Sequence, residues 1–202
     1  MKLVLATRNQ GKVREIGEML KAQNGIELLS LHSYPDAPDV VEDGRTYEEN
    51  AIKKASMLVE YTGHITIADD SGLEVDALDG APGVHSARYA GENASDQDRI
   101  VKLLDTLQNV PNERRSGRFI CAVAIAEPLA QVQVVRAACE GRIIRAPRGV
   151  SGFGYDPVFV PVGYDKTFAE LGDEIKNQIS HRAKALGEAR ELLSEIICEK
   201  RC

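Results

Sequence analysis

Short apolar runs alternate with stretches of helical period along most of this chain, and that alternation points to the α/β class. Leu3 to Ala6 reads as a short buried strand, and Lys12 to Ala22 as a helix with Val13, Ile16, Met19 and Leu20 on one stripe. Ile26 to Leu31 is a second strand candidate. Tyr34 to Gly44, with two prolines and four acids, reads as a loop. Thr46 opens the next helix through a capping box with Glu49, and that helix runs to about Tyr61. Ile65 to Ala68 reads as a strand, with Asp69-Asp70-Ser71-Gly72 as the turn after it. Leu73 to Val75 and His85 to Tyr89 are short strand candidates. Asp96 to Leu107 reads as a helix capped by Ser95 or Asp96. Arg118 to Ala126 and Val132 to Glu140 form the best hairpin candidate. Ala146 to Pro157 is a Gly/Pro-rich loop, and Ser180 caps a final helix reaching about Cys198. No repeat and no linker interrupts the pattern, so residues 1–202 are expected to form one domain.

Composition narrows the function. A chain of 202 residues buries roughly 70% of its unfolded surface and needs no staples. With 43% hydrophobic and 28% charged residues, it falls outside the disordered, collagen-like and low-complexity classes. Its 25 basic and 31 acidic side chains leave a net charge of -6, unsuited to non-specific nucleic-acid binding. Trp is absent and aromatics are 5%, which argues against extended base-stacking platforms. Cys121, Cys139, Cys198 and Cys202 lack CxxC spacing and read as buried or incidental thiols of a reducing cytosol. No run approaches ~18 apolar residues, so no membrane span is expected, and the chain reads as cytoplasmic.

Five stretches carry chemistry. Thr7-Arg8-Asn9-Gln10-Gly11-Lys12 joins the first strand to the first helix, where backbone N–H groups favour an anion. Thr7 and Asn9 offer side-chain donors and Lys12 a mobile cation. The P-loop pattern itself fails, since Val13 follows the lysine. On local sequence a phosphate cradle and an ordinary capped turn are equally good readings. Asp69 and Asp70 sit at a strand's C-terminal end, where open α/β sheets place ligands. Adjacent carboxylates suit Mg²⁺, or a general base acting on water, with Glu42 completing the set. A solvated turn is the alternative.

Lys54 falls on the apolar stripe of Ala51, Ala55 and Leu58, so it needs an anion or a route to the surface. Lys53 faces the other way, as a partner for Glu49. His181, Arg182 and Lys184 crowd the start of the last helix, against its dipole. Arg182 also lies on the stripe of Leu186, Ala189, Leu193 and Ile197. A carbonyl-rich or anionic ligand would relieve both conflicts, with Lys176 adding to the pocket. Nearby acids such as Asp173 and Glu174 would do so too. Gly152-Phe153-Gly154-Tyr155-Asp156-Pro157 sets aromatics between glycines, a place for a base to stack and for Asp156 to accept a base N–H. A tight turn with a packed ring is the alternative.

Taken in order, Thr7-x-Asn9-x-x-Lys12, Glu49-Asn50-Ala51 with Lys54, Asp69-Asp70-Ser71-Gly72, Ala81-Pro82-Gly83 with Ser86-Ala87-Arg88-Tyr89, Gly152 to Pro157 and Ser180-His181-Arg182 resemble the inosine triphosphate pyrophosphatase family. The resemblance runs from Leu3 to the final helix. It implies a two-lobed α/β fold with a long twisted mixed sheet, flanking helices and a central substrate cleft. It implies Mg²⁺-dependent hydrolysis of ITP, dITP and XTP to monophosphate and pyrophosphate by a cytoplasmic homodimer that binds neither a nucleic-acid polymer nor a membrane. By the same resemblance Asp70 is the proton acceptor and, with Glu42, a metal ligand. Asp69 and Lys54 complete the catalytic set. Thr7, Arg8, Asn9, Gln10, Gly11, Lys12 and Ser71 contact substrate. Phe153, Gly154, Tyr155 and Asp156 hold the base, and Lys176, His181 and Arg182 complete the base and phosphate contacts. His181 and Arg182 are donors, matched to an oxygen at purine position 6 rather than to adenine's amino group. Competing readings are a Maf-like pyrophosphatase for pyrimidine or modified nucleotides, and a non-catalytic nucleotide-binding module.

Overall fold

The computed structural model describes residues 2–20 and 25–199. Among them the elements run β1 (Lys2–Leu5), α1 (Gln10–Leu20), β2 (Glu27–Ser30), α2 (Tyr47–Thr62), β3 (Ile65–Val75), α3 (Asp96–Thr106), β4 (Ser116–Ala126), β5 (Gln133–Ile143), β6 (Phe159–Pro161), α4 (Phe168–Ile179) and α5 (His181–Glu199). The strands form one mixed sheet in the order β2-β1-β3-β4-β5-β6. β1 runs parallel to both β2 and β3, with Leu3 opposite Leu28 and Ile65. β5 and β6 are antiparallel. The expected α/β class and mixed sheet are therefore present.

The chain divides into two compact units, and β3, β4 and β5 each contribute residues to both. The first comprises residues 1–70, 121–137 and 182–202; the second, 71–120 and 138–181. In the first, α1 lays Ile16 and Leu20 against Leu3, Leu5, Ile65 and Ile67, and Val13 and Met19 pack alongside. α5 closes the same core with Ala185, Leu186, Ala189, Leu193 and Ile196, so Ile196 takes the place expected of Ile197. In the second unit Leu73, Val75, Phe119, Phe159 and Phe168 form a separate core with Ile100 and Leu103 of α3.

Several elements differ from the sequence reading. Asp69 to Gly72 is not a turn: β3 runs unbroken from Ile65 to Val75, with all but two of its residues buried. The acids looked like turn chemistry because their partners are far away in sequence. His85 to Tyr89 is no strand; Gly83–Arg88 forms 3₁₀ turns, in which the Ser86 hydroxyl donates to Gly83 O. α4 and β6 were missed. α4 begins at a full capping box between Thr167 and Glu170, but Gly172, at φ 77°, interrupts its helical period. At α2 only half of the expected box forms. Thr46 accepts from Glu49 N–H, whereas the Glu49 carboxylate reaches back to Arg45 N–H at 2.6 Å. α1 begins two residues early, and Lys21 and Ala22 of the expected helix lie outside the described residues.

Arg115 is the second unit's most demanding buried side chain. It is 2% exposed and donates to Leu107 O (2.7 Å), Ile143 O (2.9 Å) and Ile144 O (3.2 Å). One guanidinium thus joins the end of α3 to the end of β5. Arg115→Met leaves these three carbonyls without that donor. It is expected to lower stability by about 2–4 kcal/mol in urea unfolding. A loss below about 0.5 kcal/mol would contradict this role.

Candidate active site

The first unit gathers charge at the middle of β3, around Asp69 and Asp70. Asp69 is 1% exposed, in a place where an isolated carboxylate would be costly. Lys12 Nζ lies 3.0 Å from its Oδ2, and Arg182 reaches the same oxygen through Nη2 at 3.1 Å and Nε at 3.3 Å. Lys54 Nζ donates to the Asp69 backbone carbonyl at 2.7 Å. Burial alone would push the Asp69 pKa up. The Lys12, Arg182 and Lys54 charges outweigh it and hold Asp69 well below the usual carboxylate range. Arg182 is held charged in return: burial opposes its charge, but Asp69 and Glu15 prevail and raise its pKa. Glu15, from α1, makes a short ion pair with Arg182 Nη1.

Asp70 is chemically different. Its Oδ2 accepts from Asn50 Nδ2 at 2.9 Å, and its Oδ1 lies 3.6 Å from Lys54 Nζ. Burial is the largest influence and here it wins. With Glu42 adding like charge, it outweighs Lys54, Lys12 and the Asn50 hydrogen bond, and the Asp70 pKa is raised. Lys54 Nζ also lies 3.2 Å from Glu42 Oε1. Burial works against its charge, but Asp70, Glu42 and Asp69 prevail and raise its pKa. Two adjacent carboxylates are thus pushed in opposite directions, the arrangement by which one site separates an anchoring anion from a proton acceptor.

The loop before α1 is a capped turn. Thr7 Oγ1 accepts from Asn9 N–H at 3.2 Å, and Asn9 Oδ1 accepts from Lys12 N–H at 3.1 Å. These side chains act as acceptors here, not as the expected donors. Lys12 Nζ pairs with Asp69. Arg8 donates to Asp39 Oδ1 (3.2 Å) and Ala37 O (2.9 Å), and the Gln10 amide meets His32 Nε2 at 2.7 Å. Gly11 lies in the first turn of α1. Lys53 pairs with Asp43 at 2.5 Å and not with Glu49, whose carboxylate is engaged by Arg45 N–H.

The second unit holds the rest. Ser71 follows Asp70 in β3 and is half-buried. Asp156 is 2% exposed and accepts from Phe153 N–H at 2.9 Å and from Lys176 Nζ at 2.5 Å. Lys176 Nζ also sits 4.5 Å from the centre of the Phe153 ring, a cation–π contact. Gly152, at φ 79°, is required: a β-carbon there would lie 2.1 Å from Asp156 Oδ2. Gly154 N–H donates to Asp96 of α3 at 2.7 Å. Tyr155 is a core ring whose hydroxyl donates to Ser86 O at 3.0 Å, and burial pushes its pKa up. His181 stacks on Phe119, with centroids 4.7 Å apart.

The structure thus brings Lys12, Glu42, Lys54, Asp69, Asp70 and Arg182 together in one unit, and Phe153, Asp156 and Lys176 in the other. Glu15 was not singled out by the sequence, and Asn50 entered only as part of the Glu49-Asn50-Ala51 motif, with no role of its own. Glu15 lies at the edge of the α1 apolar stripe, and an acid there asks for a cation as Lys54 asks for an anion. The conflict at the α5 start is met for Arg182 by carboxylates of this chain, from α1 and β3. Cys121 and Cys139 are buried and Cys198 is exposed; burial, with Asp69 nearby, pushes the Cys121 thiol up to about 12, which leaves it inert. Cys202 lies outside the described residues.

The first unit thus holds a buried carboxylate pair surrounded by the cations Lys12, Lys54 and Arg182. Residues 3–192 match the model of the Ham1 family, and the chain belongs to that family. It is 52% identical to a dITP/XTP pyrophosphatase of Desulforamulus reducens, covering 97% of each chain. It is 54% identical to another of Geobacillus kaustophilus, over 96% of this chain and 95% of that one. Among solved structures, a HAM1 protein from Coxiella burnetii superposes with TM-score 0.87 at 41% identity, covering 96% of this chain and 99% of that one. A nucleoside-triphosphatase, dITP/XTP pyrophosphatase, from Mycobacterium abscessus gives 0.77 at 43%, covering 94% and 98%.

Asp69→Asn removes the counter-charge of the buried Arg182 and the half-buried Lys12. It is expected to cost about 3 kcal/mol at neutral pH. Because the folded pKa of Asp69 is depressed, its stabilisation is complete above about pH 5 and is lost as pH falls below about 4. The gap between wild type and variant in urea unfolding should be constant from about pH 5 to 8 and narrow below about 4. A gap that widens on acidification would contradict the assignment.

Proposed function

We propose that this chain hydrolyses non-standard purine nucleoside triphosphates (dITP, ITP and XTP) to the monophosphate and pyrophosphate. The observation that carries the reading is the opposed pair: Asp69 pinned as an anion, Asp70 beside it with its pKa raised. Near-complete alignment with dITP/XTP pyrophosphatases supports the substrate class. The chain acts as a hydrolase in one nucleoside-triphosphate pyrophosphatase domain.

Asp70 accepts the proton of a water that attacks the α-phosphorus. Lys12 and the N–H groups at the start of α1 hold the departing pyrophosphate. Glu42 and Asp70 would hold Mg²⁺. Both already flank one cation, the Lys54 ammonium, and both offer the oxygen ligands Mg²⁺ prefers. When bound, the ion supplies charge neutralisation on the phosphates. Phe153 provides a ring for the base, with Asp156, Lys176 and His181 as its polar surroundings. Thr7, Arg8, Asn9, Gln10, Gly11, Ser71, Gly154, Tyr155 and Arg182 complete or support the substrate contacts. The family resemblance further supports a cytoplasmic homodimer. Among the described residues no helix is long and apolar enough to cross a membrane.

A panel of dITP, ITP, XTP, GTP and ATP tests the substrate class. The 6-oxo non-standard purines should give the higher kcat/KM and release pyrophosphate, whereas equal values across the panel would refute it. Orthophosphate as the first product would refute attack at the α-phosphorus. Asp70→Asn should lower kcat about 10²–10⁴-fold with the fold intact. Near-normal turnover would overturn the base assignment.

A further inference from the structure

Asn50 lies on the face of α2 that also carries Lys54, and it is 1% exposed. Both ends of its amide are used. Gly44 N–H donates to Asn50 Oδ1 at 2.8 Å, and Asn50 Nδ2 donates to Asp70 Oδ2 at 2.9 Å. The amide's orientation is forced, because a backbone N–H can only donate and must face the carbonyl oxygen. The amino group is thereby turned to Asp70. One Asp70 oxygen is committed to Asn50, and the other has Lys54 Nζ at 3.6 Å. At the other end, Gly44 follows Glu42 by two residues, and Glu42 Oε1 reaches the same ammonium at 3.2 Å. The approach of Gly44 is close. A β-carbon there would lie 2.6 Å from Asn50 Oδ1 and 2.9 Å from Glu49 Cβ.

We propose that Asn50 is a positioning residue of the hydrolysis inferred above. Its amino end fixes the Asp70 carboxylate so that Oδ1 faces the reacting water, and its carbonyl end seats the segment that carries Glu42. The proposal rests on the pyrophosphatase reading for its kinetic consequence, but the clamp on Gly44 does not. The side-chain amide of Asn50 is engaged by Gly44 and Asp70, so its influence on the reaction runs through them. It acts by leaving Asp70 one orientation, and an error of about 1 Å in such a group costs about 100-fold in rate.

Asn50→Asp separates the two ends. A carboxylate still accepts from Gly44 N–H but donates nothing to Asp70. Asn50→Leu removes both, and Gly44→Ala pushes the amide away while leaving Asn50 in the chain. Two readouts are taken: ITP turnover with pyrophosphate detection, and exchange of the residue-44 amide proton by NMR. In Asn50→Asp kcat should fall about 100-fold with KM within about threefold, and the Gly44 amide should stay as protected as in wild type. In Asn50→Leu the same loss of kcat should come with exchange at least about 10-fold faster. In Gly44→Ala, a change in a half-buried loop, kcat should fall about 10-fold.

If kcat of Asn50→Asp lies within about twofold of wild type, or the loss appears in KM alone, the positioning of Asp70 is overturned. Unchanged exchange in Asn50→Leu overturns the clamp. Should that variant not fold, wild-type kcat in Gly44→Ala overturns the clamp instead. Failure of the wild type to hydrolyse ITP counts against the pyrophosphatase reading. The amide-exchange comparison still decides the clamp.

Discussion

One fully buried carboxylate organises the first unit. Asp69 sits in the middle of β3, and α1 and α5 each bring a cation to its side chain, Lys12 and Arg182. Lys54 of α2 meets its backbone carbonyl. Without Asp69, the buried Arg182 guanidinium and the half-buried Lys12 ammonium would lose their shared counter-ion, at a cost of several kcal/mol. With it, three separate elements are drawn to a common point. Glu15 extends the array behind Arg182, so that the guanidinium lies between two acids.

The period of a β-strand then divides the labour. Successive residues of β3 point to opposite faces, so Asp69 and Asp70 meet different neighbours although they are adjacent. Asp69 meets Lys12 and Arg182 and is kept ionised. Asp70 meets Asn50, Lys54 and, near them, Glu42, and burial keeps its pKa raised. Opposite pKa shifts on two identical side chains need no unusual backbone, only different surroundings.

Much of this was legible in the sequence, for physical reasons that apply residue by residue. Lys54 stood on an apolar stripe and Arg182 on another, and a buried cation demands an anion. That demand correctly marked both as partners of something. It could not say of what. Glu15 and Asp69 lie 167 and 113 residues from Arg182, and no local period carries that pairing. The two acids of β3 were misread as a turn for the same reason. An Asp-Asp-Ser-Gly run has turn propensity, and only distant partners make a strand of it. α4 escaped notice because Gly172 breaks its period, although the Thr167-to-Glu170 cap was present. The capped loop before α1 was readable in place and length, but not in the polarity of its hydrogen bonds. Asn9 is an acceptor because the Lys12 N–H it meets belongs to α1's first turn, and Thr7 because it meets the Asn9 N–H just before that turn.

The most direct test of the account is a carboxyl-carbon NMR titration of Asp69 and Asp70 in the metal-free protein. Asp70 should titrate above the ordinary aspartate value, and Asp69 should stay ionised well below it. Both groups titrating together near the ordinary value, or Asp69 titrating first as pH falls, would contradict it.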